Sequence, residues 1–127
     1  MSRKRRGMRT QALLAQRWQH SGLYPNATDA GAGRPGKDIL NTPGLATEVK
    51  ARGRFTLLET LRQAEANASD SEVPIVVWRH NGQGEKSMDD WTVSMRLSMF
   101  EAMWTTLSEL WGTRWLTQQT GKNDSLS

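Results

Sequence analysis

Apolar residues recur at helical spacing between Met8 and His20, where Leu14 and Trp18 stand four apart with Ala15 between them. That spacing predicts a helix, stopped by Ser21-Gly22, because glycine accepts the left-handed conformation common after a helix. Leu23 to Asp29 predicts a short strand interrupted by Pro25. From Gly36 to Arg52 two short apolar runs, Ile39-Leu40 and Leu45 to Val49, flank the turn formers Asn41-Thr42-Pro43-Gly44, which predicts a hairpin. Thr56 to Ala68 predicts a second helix, with Thr56 and Glu59 in capping-box spacing and Leu57, Leu58, Leu61, Ala64 and Ala68 on its apolar face. Val73 to Trp78, VPIVVW, is continuously apolar, as a central strand would be. Asp90 to Leu97 alternates, placing Trp91, Val93, Met95 and Leu97 on one face of an edge strand. Ser98 to Trp115 predicts a last helix with Phe100, Met103, Trp104, Leu107, Leu110 and Trp111 on its apolar side. The predicted order is αβββαββα: an α/β fold with helices flanking a mixed sheet. Residues 8–116 are read as one domain, between a disordered basic arm at 1–7 and a flexible tail at 117–127.

The hairpin carries chemistry as well as shape. Asp38 enters its first strand, and Glu48 and Lys50 lie on one face of its second, with Val49 pointing to the other. The loop length decides whether the acids meet. A two-residue loop, Pro43-Gly44, sets Asp38 opposite Val49, whereas a three-residue loop, Thr42-Pro43-Gly44, sets it opposite Glu48. Two-residue loops prefer primed turns, which Pro-Gly does not suit, so the sequence favours the loop that brings both carboxylates together. Two acids and an ammonium group at one point can hold a divalent cation beside a positive charge, which suits phosphodiester cleavage.

Asp38, a turn, Glu48-Val49-Lys50 ten residues on, a helix bearing Gln63-Ala64 and then an apolar strand occur here in that order. This resembles the PD-(D/E)XK nuclease superfamily, and within it the small Holliday junction resolvases, phage-encoded ones in particular, over residues 7–100. The E-x-K triplet alone occurs by chance in many proteins; the ordered series is the more specific signal. The resemblance implies a restriction-endonuclease-like core and Mg²⁺ or Mn²⁺ held by Asp38, Glu48 and the carbonyl of Val49. It also implies catalytic roles for Asp38, Glu48, Lys50 and Gln63, and a homodimer that resolves four-way DNA junctions. Without the resemblance Gln63 reads as an ordinary exposed helix residue. One feature departs from the pattern: archaeal resolvases carry an acid in the first helix, but no acid precedes Asp29 here, and Gln11 or Gln16 stands in that region instead.

Composition narrows the picture further. The 127 residues include 36% hydrophobic ones and no cysteine, so disulfides and thiolate zinc sites are excluded and a cytoplasmic location (host cytoplasm, if phage-encoded) is expected. No apolar run approaches the ~20 residues that span a bilayer, so no membrane partner is expected. The net charge of +4 is unevenly placed. Six bases and no acid fall in residues 1–28, leaving 11 bases (17 less 6) against 13 acids in the remainder. A basic segment on a near-neutral body points to a polyanion, and Arg5, Arg6, Arg9, Arg34, Lys37, Arg52, Arg54 and Arg79 are the candidate DNA contacts. His80 beside Arg79 lacks a second ligand at zinc spacing and reads as a turn residue. Gly31-x-x-x-x-Gly36-Lys37 imitates a phosphate-binding loop, but Asp38 stands where that motif needs Ser or Thr, and no helix follows. Three functions stay open: a structure-selective endonuclease, a nicking or repair-type nuclease on flaps, ends or duplex, and a non-catalytic DNA-binding module.

Overall fold

The computed structural model describes residues 3–31, 33–51 and 56–126, with side chains placed over 5–31, 33–51 and 56–112. Eight elements and one 3-10 helix follow in the order α1 (Arg3–Ser21), β1 (Thr28–Asp29), β2 (Ile39–Leu40), β3 (Leu45–Lys50), α2 (Leu57–Asn67), β4 (Val73–Trp78), the 3-10 helix Glu85–Asp90, β5 (Thr92–Ser94) and α3 (Leu97–Leu126). The fold is mixed α/β, with a small mixed sheet flanked by helices, and the element order is the one the sequence predicts. The chain divides into two compact units, residues 1–95 and 96–127, where the sequence predicted a single domain over 8–116.

In the first unit β3, β4 and β5 form a sheet in that order, β3 parallel and β5 antiparallel to β4. The apolar run Val73–Trp78 is therefore the central strand, buried from Ile75 to Trp78, as its lack of alternation implies. Helix α2 supplies the crossover that a parallel pair requires. Because strand side chains alternate, the sheet has two apolar faces. Val49, Ile75 and Val77 pack with Leu13, Leu14 and Trp18 of α1, together with Ile39 and Trp91. Val76 and Trp78 pack with Leu61 of α2 on the other side.

The predicted hairpin does not form a ladder. Strand β2 pairs antiparallel with β1, Thr28 opposite Leu40 and Asp29 opposite Ile39, while β3 goes to β4. The reason lies in the turn. Leu45 N–H donates to the Thr42 carbonyl at 3.0 Å, Pro43 and Gly44 are the central residues, and Gly44 has φ +92°. Proline followed by a positive-φ glycine is the type II arrangement, whose twist splays its flanking strands instead of pairing them. The hydroxyl of Tyr24 straps this turn by donating to the Pro43 carbonyl at 2.7 Å.

Other predicted boundaries move. Helix α1 begins at Arg3, so residues 3–7 form its first turns and are not a disordered arm. Of the predicted strand over Leu23 to Asp29, only Thr28–Asp29 pairs. The predicted strand from Asp90 to Leu97 shrinks to Thr92–Ser94, and its shared apolar face is lost: Trp91 is buried, Val93 exposed, and Leu97 begins α3. Thr56 and Glu59 join through their side chains, in place of the reciprocal backbone bonds of a capping box. In the second unit α3 runs to Leu126, through the predicted flexible tail, with one non-helical residue, Gly112.

Candidate functional site

Asp38 sits at the junction of the two small sheets. Its N–H donates to the Thr47 carbonyl at 3.0 Å, and its own carbonyl accepts from Ala30 N–H at 2.9 Å. These two bonds tie it to β3 on one side and to the end of β1 on the other. Its Oδ2 accepts the N–H of Val49 at 2.8 Å, so the carboxylate takes the place a neighbouring strand would occupy along that edge of β3. Groups of one strand residue point the same way within the sheet plane, so the Val49 carbonyl faces this edge too. Lys50, one residue on, turns to β4 and accepts from Arg79 N–H at 2.8 Å.

Glu48 lies on the α2 face of β3, opposite Val76, and is 2% exposed. Its carboxyl lies close enough to that of Asp38 for each to act on the other, and receives the Asn67 amide of α2 at 3.3 Å. Burial, first, and the neighbouring Asp38 charge, second, push the Glu48 carboxyl up from 4.5 to about 7, against the pull of Asn67 and Lys50. Burial also raises Asp38, opposed by the Val49 N–H, by the bond to Glu48 and by the Lys50 charge. Two buried acids this close cannot both ionise without a counter-charge. Burial and their mutual repulsion favour keeping a proton on the pair, while the Lys50 charge pulls both acids the other way. Asp38 and Glu48 thus meet through a side-chain contact at the edge of β3, not through the hairpin register that predicted their meeting.

The donor set is hard oxygen: two carboxyls and, on the same edge, the carbonyl of Val49. Such groups fit Mg²⁺ or Mn²⁺, which retain water molecules in their remaining positions. No group of three His, Cys, Asp or Glu side chains suited to a metal exists among the described residues, so the acid pair would supply all the carboxylate ligation. Gln16 is exposed, and the Oε1 of Gln11 is buried with no hydrogen-bond partner among the described residues.

Gln63 is exposed on α2. The residue of that helix that reaches the acids is Asn67, one turn further along, and a four-residue offset from Gln63 on the same helical stripe was the available signal for it. The basic candidates separate into groups. Arg5 and Arg34 are exposed. Lys37 is paired with Glu72, and Arg9 with Glu85 at 2.6 Å. The side chain of Arg6 donates to the Ala51 carbonyl at 3.0 Å. Arg79 is built into the fold: it donates to the Gln83 carbonyl at 2.9 Å and to the Thr10 hydroxyl at 3.3 Å, and lies 5.7 Å from the Trp91 ring centre. Arg52 and Arg54 lie outside the described residues. His80 meets Thr92 Oγ1 at 2.8 Å through its Nε2. In the glycine-rich loop Gly31, Gly33 and Gly36 all have positive φ, and the chain leads into β2 and not into a helix.

No protein-family model, no curated protein and no solved structure matches the chain. None of the described helices is long and apolar enough to cross a membrane.

Proposed function

We propose that the chain is a metal-dependent DNA endonuclease of the PD-(D/E)XK type, with a restriction-endonuclease-like core, acting on branched DNA such as four-way junctions. One observation carries this reading: Asp38, which accepts the Val49 N–H at the edge of β3, and the buried Glu48, from separate segments, lie close enough to act on each other, with the Lys50 charge acting on both. An acid pair that needs either a proton or a cation is the electrostatic condition for binding a hard divalent ion. Asp38, Glu48 and the Val49 carbonyl would hold Mg²⁺ or Mn²⁺, which lowers the pKa of bound water and offsets charge on a phosphate. Lys50 supplies a fixed positive charge where the pentavalent phosphate gathers negative charge. Asn67 orients the Glu48 carboxyl. The proximity of parallel strand ends, α1 and several arginines supports a polyanionic substrate.

Recognition would rest on shape and phosphates, since no base-reading helix-turn-helix or zinc finger is apparent in the sequence. A two-fold homodimer would present two such sites to two opposed strands of a junction. The test is cleavage of a four-way junction and of a matched linear duplex, with Mg²⁺ and with EDTA. Wild type should cut the junction in Mg²⁺ alone. Asp38→Asn should abolish cleavage, and Lys50→Ala should lower turnover by at least a hundredfold while leaving DNA affinity within a few-fold. Equal cutting of both substrates would move the reading to a nicking or repair-type nuclease. A second reading, a non-catalytic DNA-binding module, is favoured by the way each acid already has a partner within the fold, the Val49 N–H for Asp38 and the Asn67 amide for Glu48. Retained Mg²⁺-dependent cleavage in Asp38→Asn would remove the acid pair from the mechanism.

A further inference from the structure

At the C-terminal end of the parallel pair β3–β4, on the α1 side of the sheet, three arginines converge around one acid. Arg6 Nε donates to the Ala51 carbonyl, one residue beyond β3. Arg79, one residue beyond β4, reaches the Thr10 hydroxyl of α1 at 3.3 Å, and Thr10 in turn donates to the Arg6 carbonyl at 2.7 Å. Arg9 pairs with Glu85. Among the described residues the one ion pair in this group is that of Arg9 with Glu85, whose charge also acts on Arg79. The imbalance has two visible consequences. Nη2 of Arg6 is buried and has no hydrogen-bond partner among the described residues. Arg79 is held below its usual pKa by burial first and by Arg6 next, with Arg9 adding to the effect and Glu85 opposing it. A buried guanidinium donor left unmatched, facing like charge, is costly unless an anion completes it.

We infer that Arg6, Arg9 and Arg79 form an oxyanion site that takes one phosphate group, and that its natural occupant is a phosphodiester of the DNA backbone. The second half of this rests on the nuclease reading; the first half does not. Guanidinium forks match phosphate oxygens two at a time, and the crevice beyond the carboxyl ends of parallel strands is where α/β sheets bind ligands. The site begins at Ala51, next in the chain to Lys50. A phosphate seated there would place the neighbouring stretch of strand at the end of β3 that carries Glu48 and Lys50. It would act as an anchor separate from the acid pair.

The experiment uses the full chain in EDTA, so that cleavage plays no part. Thermal unfolding is followed in sodium phosphate against sodium chloride at matched ionic strength, and affinity for a short duplex is measured across a salt series. Phosphate should raise the unfolding midpoint of wild type and shift the Arg6 Nε–Hε resonance. Arg6→Gln and, separately, Arg9→Gln should abolish the phosphate effect. Each should also weaken duplex binding roughly tenfold and reduce the slope of log affinity against log salt by about 1. Arg17→Gln, which removes a surface pair with Asp89, should change neither. Equal midpoints in the two salts for wild type would overturn the oxyanion site. Phosphate protection with unaltered duplex affinity in both variants would keep the site and overturn its assignment to DNA. Failure of wild type to bind any duplex would overturn the nuclease reading, while phosphate protection lost in Arg6→Gln would still support the oxyanion site.

Discussion

Glu48 holds its proton to about pH 7 in the folded chain, against an ordinary value of 4.5, and the sign of the resulting pH dependence follows. Between those values the native state binds a proton that the unfolded chain has released, so the contribution of Glu48 to stability is fully present below pH 4.5 and is lost as pH rises through about 7. For a shift of this size the loss is about 3 kcal/mol. Urea unfolding at pH 5 and pH 8 should show it, and Glu48→Gln should flatten the difference. Added Mn²⁺ should raise the midpoint more at pH 8 than at pH 5, because ligating carboxylates must first lose their proton. Asn67→Ala removes the amide that reaches Glu48. It should raise the Glu48 pKa further, and the inflection of the urea midpoint against pH should move upward with it. The identity of the acids and of Lys50 was legible in the chain. Asn67 was not, because the last residue of a helix meets a strand carboxyl only once the crossover has set the helix over the sheet.

At the scale of elements, the turn Thr42 to Leu45 decides how the small strands are shared. Gly44 holds φ +92° there, a conformation that costs an L-residue about 1–2 kcal/mol, so Gly44→Ala should lose about that much in urea unfolding. Tyr24→Phe should lose about 1 kcal/mol through the strap to Pro43. Ile39 is fully buried in the α1-side core, and Ile39→Ala should cost about 2–5 kcal/mol by transfer and cavity together. The helices and the central strand were readable because their apolar patterns are long. The pairing partners of β2 and β3 were not. A two-residue strand carries no register information, and only the type II geometry at Pro43-Gly44 shows that the strands part.

For the molecule as a whole, the first unit carries the acid pair, while α3 in the second exposes Phe100, Met103, Trp104, Leu110 and Trp111. The apolar side expected of this helix is thus largely exposed, with Phe100 and Trp104 stacked 6.0 Å apart. Aromatic and methionine side chains are enriched in interface cores, and the proposed junction cleavage calls for two opposed sites. Wild type should therefore elute as a dimer in light-scattering chromatography, and Trp104→Glu should shift it towards monomer without altering the far-ultraviolet circular dichroism. Monomeric wild type would count against a two-fold enzyme.

By itself the chain determined the element order, the apolar central strand, the two flanking helices of the first unit and the three residue types of the candidate site, since each follows from local periodicity or from the short-range order of Asp38, Glu48 and Lys50. Tertiary structure alone decided that the acids meet through a carboxylate replacing a missing strand along β3, that Asn67 reaches them, and that Arg6, Arg9 and Arg79 crowd around one glutamate. These are contacts between segments far apart in sequence. Their geometry depends on how a parallel crossover and a splayed turn place the strand ends, which no local pattern encodes.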